Sequence, residues 1–222
     1  MSHLILSSAL VAAGSLVVWY VCFARYNHRR GDRVLRWIEA ACGSRGKVVD
    51  QKWLDVSRMQ IQLAFAAHWF ENARVTIRLR PRPLPLHWLY AIWQRQKEVL
   101  TFEADLGGAP GSHIQVFRHH WLTHTHTERD AASQAWQIHR PGQVVLTTRA
   151  DWSNELVPVV NTLMMSRGHR LLSVRLRPES PHLAATLPLD AISDEQHASS
   201  FLKVLRALAE GASARHGKST QN

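Results

Sequence analysis

The residues best suited to chemistry are histidines, five of which crowd one stretch: His113, His119, His120, His124 and His126. On an extended chain His124 and His126 share a face about 6 to 7 Å apart, with His120 further back on the same side. That spacing suits an H-x-H metal pair. A zinc or iron centre needs a third protein ligand and ordered acceptors behind the ligands, and the nearby Glu128 and Asp130 complete no metal motif. With the interleaved Thr123, Thr125 and Thr127, a solvated polar hairpin end is the favoured reading, so no metal or other cofactor is expected.

A second constellation is basic. Residues 74–82 alternate, with Val75, Ile77 and Leu79 apolar against Arg74, Thr76, Arg78, Arg80 and Arg82. On a strand this alternation aims four guanidinium groups the same way. Arg175 and Arg177 repeat the pattern, because Val174-Arg175-Leu176-Arg177-Pro178 echoes Ile77-Arg78-Leu79-Arg80-Pro81. Five residues are too few to establish an internal duplication. Together the six arginines form a candidate anion-binding face for phosphate of lipid or nucleic acid. The competing reading is cross-strand pairing with Glu103 and Asp105 on the polar side of their own strand.

Known catalytic patterns are missing: there is no G-x-S-x-G, Walker loop, G-x-G-x-x-G after a strand, H-E-x-x-H or kinase signature. Gly107, Gly108 and Gly111 precede an extended segment, whereas a phosphate loop needs a helix N-terminus, so they read as a hairpin loop. The chain has two cysteines, Cys22 and Cys42, too few for a disulfide framework. Its 222 residues are 45% apolar and 20% charged, in the globular range, and the net charge of +10 favours anionic partners.

The elements that must position these groups begin with an anchor. From Leu4 to Phe23 the chain carries no ionisable group other than Tyr20 and Cys22. About 20 such residues, at 1.5 Å each, span a bilayer core of roughly 30 Å. A cleaved signal peptide would need a positive start, a shorter apolar run and a small-residue cleavage site, and none of these is present. Trp19 and Tyr20 suit the interface, and Arg25, His28, Arg29, Arg30, Arg33 and Arg36 follow. By the positive-inside rule the short N-terminus is expected outside and the remainder in the cytoplasm.

Asp32 is expected to cap a separate short helix ending at Gly43. Strands are predicted over 47–54, 59–65, 74–82 and 98–106, with a turn at Glu71-Asn72 and a strand 114–123 as the hairpin partner of 98–106. Further strands are predicted over 134–139, 144–148, 171–177 and 186–189, with helices over 86–96, 154–167 and from a Ser193/Gln196 capping box through Leu208. The 86–96 helix carries Trp88, Leu89, Ile92 and Trp93, two of the nine tryptophans. A core helix, or one covering a sheet face, is the commoner fate of such a segment, and the headgroup region is the alternative.

The expected architecture is α+β: residues 1–30 as transmembrane anchor with a basic flank, 31–210 as a mainly antiparallel domain with several helices, and 211–222 as a disordered tail. A subdivision near 130–142 is conceivable. The leading functional expectation is a non-catalytic, membrane-anchored cytoplasmic module that binds a protein partner or an anionic surface such as lipid. A metal-dependent enzyme using His120, His124 and His126, and a membrane-tethered nucleic-acid-binding domain using the arginines, are the alternatives.

Overall fold

A computed structural model describes residues 2–66, 69–110, 114–118, 136–139, 144–149, 171–192 and 195–213. The first element, α1 (Ser2–Cys42), is one unbroken helix. It is about 60 Å long at 1.5 Å per residue. Asp32 therefore caps nothing. No proline interrupts residues 24–42, and Gly31 serves close packing, since a Cβ there would lie 2.6 Å from Trp53 Cζ2. Gly43 ends α1 as expected, with φ of +50°.

The two halves of α1 live in different surroundings. Ile5, Leu6, Leu10, Val11, Leu16, Val17 and Val18 are all exposed, whereas Asn27, Val34, Trp37, Ile38 and Cys42 are buried. Among the described residues this is the one helix long and apolar enough to cross a membrane. Its second half belongs to the core.

Among the described residues nine antiparallel strands form a single sheet: β1 (Gly46–Asp55), β2 (Arg58–Phe65), β3 (Glu71–Arg78), β4 (Val99–Asp105), β5 (Ile114–Arg118), β6 (Trp136–His139), β7 (Val144–Arg149), β8 (Ser173–Leu176) and β9 (Leu183–Pro188). Their order is β1-β2-β3-β4-β9-β8-β5-β7-β6. With the apolar helix and the flanking helices this is an α+β structure. Alternation sorts the faces: Met59, Ile61, Val75, Ile77, Leu100, Phe102, Val174, Leu176, Leu183 and Ala185 are buried on one side. The second half of α1 and α3 (Glu195–Ser213) cover that side, joined by Trp37 against Phe201 at 5.6 Å and Phe102 edge-on to Phe201 at 6.4 Å. The other side is a polar ladder in which Gln60, Thr76, Thr101, Thr186 and Ser173 align across five strands.

Several expectations need correcting. Glu71 and Asn72 lie inside β3, where a register shift and the positive φ of Asn72 mark a bulge in place of the expected turn. That strand ends at Arg78, not at residue 82. Segment β5 pairs with β7 and β8, and β4 is flanked by β3 and β9, so the expected 98–106/114–123 hairpin does not form. Helix α3 runs to Ser213, past the expected start of the tail. The helix expected over 154–167 lies outside the described residues.

Candidate functional site

Six arginines were expected on one surface, and the structure distributes them. Arg74 sits on the open sheet face with its Nε 2.7 Å from Glu103 Oε2, its register partner on β4. This is the cross-strand pair weighed as the alternative. Among the described residues Asp105 pairs with no arginine; its Oδ2 accepts from the Asn72 amide at 3.0 Å. Arg175 shares Arg74's row, but β4 and β9 stand between them. Three strand spacings put them about 14 Å apart. Arg177 leaves the sheet, its Nε donating to Pro181 O at 2.9 Å across the β8–β9 turn. Arg78 is exposed beside its register partner Arg58, itself 3.6 Å from Asp55 Oδ2.

Arg80 and Arg82 serve a different purpose. Past Arg78 the chain leaves the strand, and Pro81 and Pro83 steer it toward α1. There Arg82 Nη1 donates to Glu98 Oε1 and, at 3.3 Å, to Asn27 Oδ1. Arg30 Nε lies 3.5 Å from Glu98 Oε2. The Arg80 amide donates to Glu98 Oε1 at 3.2 Å, and its Nε to Gln96 O at the same distance. Asn27 is fully buried and donates to Val56 O at 2.9 Å and Arg80 O at 3.1 Å. Two guanidinium groups thus flank one carboxylate, while a buried amide on α1 binds the loop carbonyls: a joint between helix and domain.

One step nearer the N-terminus an apolar ledge continues the joint. Helix α2 (Pro85–Trp93) starts with proline at its first turn, which needs no donor there. Trp19 Nε1 donates to Arg82 O at 3.0 Å, and its ring stacks near Phe23 at 4.5 Å and Trp88 at 5.6 Å. Of α2 itself only Ala91 is buried. Leu86 is 80% exposed and Trp93 79%, with Leu84, Leu89, Tyr90 and Ile92 exposed as well. The core role expected for this helix is therefore corrected.

A groove of about 670 Å³ opens at the far end of α1. Cys42, Phe65, Phe70 and Leu202 make it apolar, and Arg45, Lys203 and Arg206 make it basic, with Arg206 3.2 Å above the Trp69 ring. No carboxylate or imidazole lines it among the described residues.

His120, His124 and His126 lie outside the described residues. Among those described, no three His, Cys, Asp or Glu side chains gather as a metal site. Reading the sequence missed Asn27 and Glu98. The one available signal was an uncharged amide among the juxtamembrane arginines. No protein-family model and no characterised protein matches this chain.

Proposed function

We propose that this chain is a single-pass, membrane-anchored module, with the N-terminus outside and the domain in the cytoplasm, that carries out no catalysis and binds a protein partner or an anionic membrane surface. One observation carries the reading: an unbroken helix is exposed and apolar from Ile5 to Val18 and part of the domain core from Asn27 to Cys42. A hydrophobic helix bare of protein contacts needs lipid around it, and continuity with the core makes it a rigid mount in place of a tether.

Charge supports the sidedness. Arg25, Arg29, Arg33 and Arg36 are exposed on α1 just after the apolar run. Their spacing of four, four and three residues lines them along one stripe. Near an anionic leaflet Arg25 and Arg29 each contribute roughly 1 kcal/mol, and Arg33 and Arg36, further along the helix, less as the distance exceeds a Debye length. The polar sheet face, with Gln62, Thr76 and Arg78, is the surface left for a protein partner.

Photo-crosslinking amino acids placed at Gln62 and Arg78 on the sheet face, and at Arg29 on the α1 stripe, of the full-length protein in cells test this. A discrete protein adduct at 62 or 78 supports the partner form of the reading, and anionic-lipid adducts at 29 without a protein adduct support the surface form. Absence of both, with the protein folded and membrane-bound, contradicts it.

A further inference from the structure

From Pro83 to Gln94 the chain has no Asp, Glu, Lys or Arg, and His87 is its one imidazole, yet α2 exposes nearly all of its large side chains. Water is a costly neighbour for Leu86, Leu89, Ile92 and Trp93 together, and contiguous apolar patches on a soluble surface mark a binding site. What covers this one is indicated by where α2 is mounted. Its Trp88 packs on Trp19 and Phe23, which lie at the C-terminal end of the apolar run in α1. Trp19 precedes Phe23 by about 6 Å of helix rise, so this contact falls at the level where a spanning α1 leaves the hydrocarbon.

Composition agrees with that depth. Trp88, Tyr90 and Trp93 are residue types that favour the headgroup boundary, and the exposed Arg95 and Lys97 follow directly. Next to the Trp19–Trp88 contact α1 is itself exposed, with Tyr20 and Val21 43% and 41% exposed.

We infer that α2 is a second membrane contact, lying in the interfacial layer of the leaflet that α1 leaves, with Leu86 and Trp93 among the acyl chains. This deepens the proposed function and rests on α1 spanning the bilayer. A single span leaves the tilt of the mounted domain unconstrained; a lateral foot beside it limits that tilt and so fixes which edge of the sheet faces the membrane. The Glu98 joint acquires a purpose, since it ties both ends of the α2 loop, at Arg80 and Arg82 before the helix and at Glu98 after it, to α1.

Nitroxide accessibility in the full-length protein tests the inference. In a background of Cys22→Ala and Cys42→Ala, single labels are introduced by Leu86→Cys, Trp93→Cys, Leu16→Cys and Gln62→Cys, and the protein is reconstituted in phosphatidylcholine vesicles containing phosphatidylglycerol. Relaxation by oxygen, which partitions into lipid, is compared with relaxation by a water-soluble nickel chelate. The 86 and 93 labels should favour oxygen, at shallower depth than 16, while 62 favours the chelate. If 86 and 93 match 62 while 16 stays in lipid, α2 is not a membrane contact and the inference is overturned with the anchor intact. An aqueous label at 16 overturns both. Spin–spin broadening at 86 that vanishes on dilution with unlabelled protein identifies a second copy of the chain as the occupant, and likewise overturns the inference.

Discussion

Replacing Glu98 by glutamine keeps the shape of the joint and removes its single negative charge. The side chains of Glu98, Arg82 and Arg30 are 11%, 15% and 27% exposed, so the cluster is shielded but not sealed. Losing one partner of a fully buried ion pair costs about 3 to 5 kcal/mol. Residual exposure and the amide oxygen still available to the Arg80 N–H reduce this to about 2 to 3 kcal/mol. For a protein of this size that is a fall in Tm of roughly 5 to 10 °C. Unfolding of the detergent-solubilised protein, followed by near-ultraviolet circular dichroism, reads the domain without depending on the span. A double-mutant cycle with Arg82→Gln should show coupling of about 1 to 2 kcal/mol. A loss below about 0.5 kcal/mol with no coupling would refute the joint as a stabilising element, because surface substitutions have effects of that size.

Ile77 is fully buried, so Ile77→Ala should cost about 2 to 5 kcal/mol. Arg78→Gln on the opposite face should change stability by less than about 0.5 kcal/mol, and similar losses for both in urea titrations would contradict the facing of β3. Gly31→Val should destabilise by about 1 to 3 kcal/mol, because its Cβ would meet Trp53 Cζ2 at 2.6 Å; an unchanged Tm would mean that α1 does not approach the sheet that closely. Asp55 and Asp105 both titrate below the ordinary carboxylate range. Partial burial pushes each up, but hydrogen bonds from Ser57 and the Arg58 charge prevail at Asp55, and those from Asn72, Ser180 and His182 at Asp105. Lowered folded-state values mean that their stabilisation is full above about pH 4 and is lost as pH falls through the folded values. Asp105→Asn should therefore flatten the acid-side loss of stability, and an unaltered pH profile would count against that assignment.

Much of the sheet was legible because alternation is a local signal. Met59, Ile61 and Leu63 on β2 and Leu100, Phe102 and Ala104 on β4 point inward wherever their strands sit in the order. The order itself was not legible: β9 pairs with β4 across a separation that no periodicity encodes, and the expected neighbour β5 lies two strands beyond it. The continuity of α1 was hidden by Asp32 and Gly31, a cap-like residue and a glycine, whose pairing imitates a helix start. The expected arginine face breaks up mainly where the chain leaves β3 after Arg78. Alternation runs on in the letters past Arg78, but Pro81 and Pro83 take the backbone off the sheet and carry Arg80 and Arg82 to Glu98. Glu98 carried no sequence signal, since its role depends on α1 being brought beside it.

On the proposed reading α1 spans a membrane and the domain lies on the cytoplasmic side. Two reporters fused after Asn222 and expressed in a bacterial host test it most directly, one active only in the cytoplasm and one only after export. The account predicts that the first is active and the second silent, with carbonate-resistant membrane attachment of both fusions. Activity of the export reporter with silence of the cytoplasmic one would contradict it.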